Sequence, residues 1–173
     1  MSAVVLALGT NLGDREATLA SAVGSLRAVD GLVVTAVSPL FATAPVGGPP
    51  QPEYLNAVVL ADATLGPARL LAATQEIEAL YGRERLVRWG PRTLDIDLVT
   101  YGDSASGDEV VQDDAALTLP HPRAHERAFV LAPWASVDPG ARLRLPGGRL
   151  ADVRQLLEQA TDRCDVHVAG ALA

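Results

Sequence analysis

A short apolar segment that carries two acids constrains the fold most strongly. It reads RWGPRTLDIDLV over residues 88–99 and places Asp95 and Asp97 one residue apart. In a β-strand, residues i and i+2 point to the same face, so the two aspartates project together. The apolar residues that alternate with them face the core from the other side: Leu94, Ile96 and Leu98. The segment therefore predicts a strand over residues 93–101 with acids on one face.

The elements predicted around this strand follow the order β-α-β-β-α-β. Apolar periodicity and turn residues predict the other three strands at 3–8, 32–41 and 54–61. One helix runs from the N-cap Asp14 to about residue 29, and a second runs from Pro67 to about residue 81. This order is typical of the α+β ferredoxin-like fold, an antiparallel sheet with helices packed on it. The first elements could instead begin a Rossmann unit, but GTNLG lacks the GxGxxG spacing.

The residues after 101 predict a C-terminal extension of this core. A minor strand is expected at 109–112 and helices at 123–135 and 149–160, followed by a β-like stretch around His167. The length suffices for one domain with a full hydrophobic core, so a single domain over 1–173 is expected.

Charge and composition exclude several classes of protein. The 173 residues carry a formal net charge of −7, which argues against general binding to nucleic acid or to anionic membranes. No apolar run approaches the roughly 20 residues of a membrane helix, and no basic lead-in typical of a signal peptide opens the chain. The single cysteine, Cys164, cannot form an intramolecular disulfide, so a reducing cytoplasm is expected.

A cluster of arginines stands just before the acidic strand. Arg83, Arg85, Arg88 and Arg92 fall within ten residues, which predicts a local positive site suited to a small polyanion. The planar guanidinium group matches phosphate oxygens, and Mg²⁺ is commonly held by one or two carboxylates plus substrate phosphates. Acids beside arginines therefore favour phosphoryl transfer, although solvated acids or simple ion pairs remain the alternative. Neither a Walker A sequence nor a protein-kinase motif is present.

Two other groups of polar residues are candidates for chemistry. Gln75 and Glu78 are three residues apart on a predicted helix and share a face, which is also typical of a solvated helix surface. His121 and His125 are too few for a zinc site, which needs three or four ligands. His121 lies between prolines, so we expect it to form a hydrogen bond or to contact phosphate from a fixed loop.

Five segments in a fixed order resemble one known family. They are ALGTNLGD, SPLFATAPVGGPPQPEYLNAVV, TQEIEALYGRER, RWGPRTLDIDLV and LTLPHPRAHERAFVLAPW. Together they resemble the 6-hydroxymethyl-7,8-dihydropterin pyrophosphokinases of folate biosynthesis. The resemblance implies an enzyme that transfers pyrophosphate from ATP to the hydroxymethyl group of the pterin, with AMP as the second product. It also implies two Mg²⁺ ions and a ferredoxin-like fold, and we expect a monomer.

The resemblance assigns roles to individual residues. By this resemblance Asp95 and Asp97 are the metal ligands, and Arg83 and Arg92 are catalytic residues that stabilise the transferring phosphates. The implied pterin-binding residues are Thr43, Pro45, Val46, Tyr54, Asn56, Trp89, Asp95 and Phe129. The implied ATP-binding residues are Gln75, Glu78, Arg83, Arg85, Trp89, Arg92, Leu98, Thr118, His121 and Arg127.

The chemistry of these side chains agrees with the implied substrates. Aromatic faces such as Trp89 and Phe129 can stack on a flat heterocycle, and Asn56 can both donate to and accept from its amide edge.

The sequence departs from the family pattern at three positions. Ala44 and Pro122 stand where proline and tyrosine are common in the family, and Ala116 stands where a basic residue sometimes occurs. The residues from about 140 carry little of the resemblance.

Two other functions are alternatives: a different metal-dependent enzyme, such as a glycosyltransferase or nucleotide hydrolase, and a non-catalytic ferredoxin-like binding module. Two acids at metal spacing beside four arginines favour the pyrophosphokinase over a binding module.

Overall fold

The fold is seen in a computed structural model that describes residues 1–44, 50–81 and 93–172. Within these residues the strands are β1 (Ser2–Thr10), β2 (Leu32–Val37), β3 (Leu40–Thr43), β4 (Tyr54–Ala63), β5 (Asp95–Tyr101), β6 (Gln112–Asp113), β7 (Thr118–Leu119), β8 (Arg142–Arg144), β9 (Leu150–Asp152) and β10 (Val166–Gly170). The α-helices are α1 (Arg15–Arg27), α2 (Pro67–Leu80), α3 (Ala128–Val137) and α4 (Val153–Gln159).

The main sheet has the order β10-β3-β4-β1-β5, and β2 also pairs with β4. Each of these pairings is antiparallel. The chain leaves β1, crosses through α1 and returns as β2, and β4 fills the gap between them. This is the split arrangement of a ferredoxin-like fold, so the prediction of an α+β βαββαβ core with a C-terminal extension is confirmed.

The two faces of the sheet are covered by different helices. On one face, Leu6, Leu8, Ile96 and Leu98 belong to a core cluster that includes buried residues of α1 and α2. On the other face, a second cluster joins β1, β4 and β5 to α3 and α4. This second cluster covers only one end of its face, where its sheet residues are Val5, Val58 and Val99. The opposite end of that face forms a pocket.

The long strand predicted over 32–41 is divided into β2 and β3. Pro39 has no backbone N–H and cannot donate to a continuous ladder. Ser38 replaces the missing pairing, because its backbone N–H donates to Val58 O and its Oγ accepts the Val58 N–H, both at 2.9 Å.

The C-terminal elements differ most from the prediction. The minor strand lies at Gln112–Asp113 instead of 109–112. The helix predicted at 123–135 is a 3-10 turn, Ala124–Glu126, and then α3, because the extended backbone of Arg127 breaks the helix between them. The helix predicted at 149–160 begins as β9, which pairs with β8, and becomes helical only at Val153.

The described residues contain no helix whose length and apolar character would suit a membrane span.

Candidate active site

The pocket lies where the ends of β1, β3, β4 and β5 meet the start of α3. Its lining residues are Ala7, Leu8, Gly9, Thr43, Ala44, Gln51, Tyr54, Asn56, Asp95, Asp97, Arg127 and Phe129. Strand register explains why residues distant in sequence come together. Gly9 of β1 pairs with Asn56 on one side and with Asp95 on the other, so these three form one row across the sheet. Ala7 pairs with Asp97 in the next row on the same face.

The acidic side of the pocket is balanced by Arg127. Asp95 and Asp97 share one face of β5, as the sequence predicted, and both line the pocket. The Arg127 Nη1 lies 3.8 Å from Asp97 Oδ2, and its guanidinium stands 5.6 Å from the centre of the Phe129 ring. Burial lowers the pKa of Arg127, but a guanidinium stays charged at physiological pH. A fixed positive charge therefore faces the two carboxylates.

His121 approaches the same carboxylate as a neutral group. Burial, followed by the charge of Arg127, lowers the pKa of His121 to about 4. Its Nδ1 accepts the backbone N–H of Arg123 at 3.2 Å, so the ring proton resides on Nε2. That Nε2 lies 3.9 Å from Asp97 Oδ2. The loop is held against β5 because the His121 N–H donates to Val99 O at 2.8 Å.

The opposite wall of the pocket is polar and closely fitted. The buried Asn56 donates from Nδ2 to Thr43 Oγ1 at 2.9 Å. Its Oδ1 faces Gly9, where a Cβ atom would lie only 3.0 Å from that oxygen. Asn11 is 1% exposed and donates from Nδ2 to Gln51 Oε1 at 2.9 Å and to Pro52 O at 3.2 Å. The segment before Tyr54 is thereby fixed against the end of β1.

Comparison with known proteins shows the family. Residues 5–139 match the family model described as 7,8-dihydro-6-hydroxymethylpterin-pyrophosphokinase (HPPK). The chain belongs to this family. The same family was inferred from the sequence motifs, so that prediction is confirmed, as is the prediction that the chain is a pyrophosphokinase.

Relatives that are also named as pyrophosphokinases come from several bacteria. The 2-amino-4-hydroxy-6-hydroxymethyldihydropteridine pyrophosphokinase of Mycobacterium tuberculosis (strain ATCC 25618 / H37Rv) is 43% identical over 97% of this chain and 90% of the relative. The protein of the same name from Mycobacterium leprae is 48% identical over 92% and 83%. The one from Bacillus subtilis is 44% identical over 76% and 75%.

Solved structures support the fold. The crystal structure of wild-type Plasmodium falciparum HPPK-DHPS with pterin and p-hydroxybenzoate aligns with a TM-score of 0.64 at 14% identity. The match covers 96% of this chain but only 45% of that larger one. At this identity the likeness concerns the fold alone.

The pocket brings together seven of the site residues predicted from the HPPK resemblance. They are Thr43, Tyr54, Asn56, Asp95, Asp97, Arg127 and Phe129. His121 lies beside them through its approach to Asp97. Six other predicted residues lie outside the described part of the chain: Pro45, Val46, Arg83, Arg85, Trp89 and Arg92.

Four residues predicted to contact ATP lie away from the pocket lining. Gln75 is exposed on α2, and Leu98 is buried in the core on the other face of the sheet. The Thr118 hydroxyl donates to Asp113 at 2.9 Å. Glu78 is 2% exposed, so it does not share a solvated face with Gln75. Their contacts with nucleotide remain predictions.

Glu78 has a clear structural contact with β5, the strand that carries the two aspartates. Its Oε1 accepts the backbone N–H of Ile96 at 2.8 Å. Ile96 separates Asp95 from Asp97, and among the described residues β5 lies at one edge of the main sheet. The carboxylate of α2 therefore fixes the strand between the two aspartates.

The pocket contains residues that sequence reasoning missed. Gly9 and Gln51 line the pocket but have no role in the sequence prediction, and neither does Asn11, which donates a hydrogen bond to Gln51 from beside the pocket. Local sequence gives no signal for them, because their importance depends on which strands become neighbours.

The donor set of the pocket suits a hard cation that arrives with phosphate. Among residues 1–44, 50–81 and 93–172, no three or more His, Cys, Asp or Glu side chains group to hold a metal ion. This does not suit zinc, which takes three or four protein ligands. Mg²⁺ commonly uses one or two carboxylates and completes its shell with water and substrate phosphates. Asp95 and Asp97 match this requirement.

A methyl group at Gly9 should impair pterin binding. In Gly9→Ala the new Cβ would meet Asn56 Oδ1 at 3.0 Å, so the Asn56 side chain, which lines the pocket, must shift. We expect the pterin dissociation constant to rise roughly tenfold, the effect of losing about one good hydrogen bond. Isothermal titration calorimetry would measure it.

Gly24→Ala is the matched control for this change. Gly24 is exposed in the middle of α1, and nothing lies within 4 Å of its Cβ position. This variant should gain about 0.5–1 kcal/mol of stability, because alanine favours a helix, and should bind pterin normally. Unchanged affinity in Gly9→Ala would contradict the role assigned to Asn56.

Proposed function

We propose that the chain transfers the pyrophosphoryl group of ATP to the hydroxymethyl oxygen of 6-hydroxymethyl-7,8-dihydropterin. One observation carries the proposal: a single pocket joins two strand-borne carboxylates and a guanidinium to a polar and aromatic wall. A phosphate chain needs the first group of residues, and a flat heterocycle with an amide edge needs the second. Family membership supports the same substrates.

The pterin is expected to lie between β4 and the start of α3. Asn56 Oδ1 can accept from an N–H of the heterocycle, and the geometry of the amide is fixed because its Nδ2 is bound to Thr43. Phe129 lines the same pocket and offers an aromatic face for stacking. Tyr54 supplies a further aromatic surface, and Asp95 lies in one strand row with Asn56. Pro45, Val46 and Trp89 complete the site in this proposal.

The triphosphate is expected to lie along β5 and Arg127. Asp95 and Asp97 would hold two Mg²⁺ ions, which would supply positive charge to the phosphate oxygens. Arg127 lies 3.8 Å from Asp97 and can donate to phosphate oxygens that bind beside this carboxylate. Gln75, Glu78, Arg85, Leu98, Thr118 and His121 remain the other proposed nucleotide contacts.

The transfer requires alignment of two groups across the strands. The pterin hydroxyl oxygen attacks the β-phosphorus of ATP and loses its proton, and the bond from that phosphorus to the oxygen of AMP breaks. Gly9 and Ala7 of β1 lie between Asn56 and the two acids. Glycine has no side chain and alanine has only a methyl group, so little projects from the sheet there. The reacting oxygen can therefore reach the phosphate side without meeting a side chain of the central strand. Arg83 and Arg92 are proposed to stabilise the transferring phosphates.

Formation of AMP tests the proposed reaction directly. The purified protein would be incubated with ATP, Mg²⁺ and hydroxymethyldihydropterin, and the nucleotides separated by chromatography. The proposal expects AMP in a one-to-one ratio with pterin diphosphate and no AMP without pterin. Release of ADP or phosphate without pterin would indicate a hydrolase. Binding of ligand with no turnover would indicate a binding module.

Loss of the Arg127 charge should mainly weaken ATP binding. Arg127→Ala removes a donor that faces the carboxylate pair, and hydrogen bonds to charged groups are worth about 1.5–3 kcal/mol. We expect KM for ATP to rise roughly 10- to 100-fold at saturating pterin. Arg123→Ala is the control, since that arginine pairs with Glu126 on the exposed side of the same turn. Equal KM values for both variants would contradict the placement of the phosphates.

We further propose a monomeric, single-domain enzyme of the cytoplasm. Its one cysteine, Cys164, is free and exposed, which suits a reducing compartment. Light scattering of the purified protein with and without ATP would test the monomer.

A further inference from the structure

The helix that carries Arg127 and Phe129 is capped from outside its own segment. α3 begins at Ala128, and its N-cap residue Arg127 makes no side-chain capping hydrogen bond. The Ala128 N–H donates instead to Asp162, at 3.1 Å to Oδ1 and 3.2 Å to Oδ2. These residues are 34 positions apart, so a carboxylate of the C-terminal extension supplies the cap. An acid at this position also interacts favourably with the helix dipole.

The capped N–H lies between two pocket residues. Arg127 precedes Ala128 and Phe129 follows it, and both side chains line the pocket. The first turn of a helix has N–H groups without partners in the helix, and it frays when nothing else binds them. Asp162 therefore fixes the backbone from which both side chains point, although it does not line the pocket itself.

Asp162 is held in place from both sides along the chain. Before it, α4 packs with α3 in one apolar cluster, through Leu156 among others. After it, β10 pairs with β3, and Val166 lies opposite Thr43 of the pterin wall. The cap is therefore presented by a braced segment and not by a loose tail. The family match ends at residue 139, so Asp162 lies outside the matched region.

We propose that Asp162 is a positioning residue for substrate binding, acting through the first turn of α3 on Arg127 and Phe129. This inference rests on the proposed function, because it assigns those two side chains to ATP and pterin. It requires that removal of the cap weakens the binding of ATP and the binding of pterin together. It also requires that asparagine, an acceptor of the same side-chain length, restores this binding when it replaces Asp162.

Three variants distinguish a role of Asp162 in positioning the pocket side chains from a contribution to stability alone. Asp162→Ala removes the cap, and Asp162→Asn keeps an acceptor of similar geometry. Asp152→Ala is the matched control: Asp152 caps α4, accepting the Arg154 N–H at 2.9 Å, and α4 carries no residue that lines the pocket. KM for each substrate and kcat would be measured for all three, together with thermal unfolding.

We expect Asp162→Ala to raise both KM values about tenfold, less than the roughly 100-fold loss that a misplacement of 1 Å can cause. Asp162→Asn should stay within about threefold of the wild type, since asparagine caps nearly as well as aspartate. Asp152→Ala should lower thermal stability by a similar amount while leaving both KM values unchanged. Wild-type KM values in a destabilised Asp162→Ala would overturn the proposal, as would equal KM changes in both alanine variants.

One further variant and one further measurement cover the cases in which Asp162→Ala does not fold or the wild type shows no activity. If Asp162→Ala fails to fold, Asp162→Glu moves the carboxylate by one methylene and carries the same test; unchanged KM values there overturn the proposal. If the wild type forms no pterin-dependent AMP, the proposed function has failed separately. Hydrogen exchange of a peptide spanning the start of α3 then decides whether Asp162 fixes it: faster exchange is expected in Asp162→Ala and not in Asp152→Ala.

Discussion

Replacement of either strand-borne aspartate should abolish pyrophosphoryl transfer while the protein remains folded. In Asp95→Ala or Asp97→Ala one of two carboxylates on the same face of β5 is lost, and a hard cation then lacks an oxygen ligand. Rate losses of at least about 10³-fold are expected, at the upper end of the loss caused by removing one preorganised charge-stabilising group. AMP formation at saturating Mg²⁺ would measure the loss.

The fold should tolerate both changes. The Asp97 side chain is 38% exposed and lies 3.8 Å from Arg127, and a partly exposed ion pair of this kind contributes only about 0–1 kcal/mol. Removing one of two neighbouring like charges offsets part of that loss. Denaturant unfolding of the two variants should therefore give midpoints close to that of the wild type.

Asp62→Ala provides a matched control for both variants. Asp62 lies on the same face of β4 as Asn56 but near the far end of that strand, opposite Ala3. Its replacement should leave AMP formation unchanged. Near-wild-type turnover in Asp95→Ala or Asp97→Ala would refute the assignment of metal ligands.

Arg83→Ala and Arg92→Ala should each lower kcat by roughly 10²–10³-fold, the loss caused by removing one charged donor from a transition state. Both arginines lie outside the described residues, so the argument comes from sequence and charge. The lining of the described pocket includes two carboxylates and one guanidinium, Asp95, Asp97 and Arg127. This arrangement is negative before a triphosphate enters, so we expect Arg83 and Arg92 to balance the charge of the transferring phosphates together with Arg127 and the proposed Mg²⁺ ions.

Separate binding measurements would distinguish the two roles of these arginines. Because Arg92 precedes Asp95 by only three residues, its replacement should also weaken ATP binding somewhat. Arg83→Ala should change the ATP dissociation constant much less than it changes kcat. Lysine should not fully restore either position, because it lacks the bidentate fork of arginine. Strongly weakened ATP binding with normal single-turnover chemistry in Arg83→Ala would make that residue a binding group only.

The sequence predicted those parts of the fold that depend on local periodicity. The alternation in β5, the cap at Asp14 and the proline at the start of α2 are local signals, and each was confirmed in the structure. Ser38-Pro39 divided a predicted strand, and the extended backbone of Arg127 divided a predicted helix. Composition and apolar spacing do not report such breaks, because they depend on the hydrogen bonds that a single residue can make.

The candidate site was predictable only where the type of a side chain is enough to indicate its chemistry. Acids, arginines and aromatic residues could be matched to phosphate and heterocycle. Gly9 contributes by lacking a side chain beside Asn56, and Asp162 contributes by reaching a helix 34 residues away. Both contributions follow from tertiary register, which a single sequence does not encode in any local pattern.

The alternation along β5 has a consequence for how this segment can change in evolution. Ile96 and Leu98 anchor the strand in the core beneath α1 and α2, while Asp95 and Asp97 open onto the pocket. Substituting an acid alters chemistry and leaves the core intact. Inserting or deleting one residue reverses every side chain beyond that point, placing carboxylates in the core and leucine in the pocket. A change of length between Asp95 and Leu98 would therefore affect core and pocket together, whereas the register shift between the pairs Leu6–Leu98 and Val5–Thr100 takes up one extra residue farther along the strand.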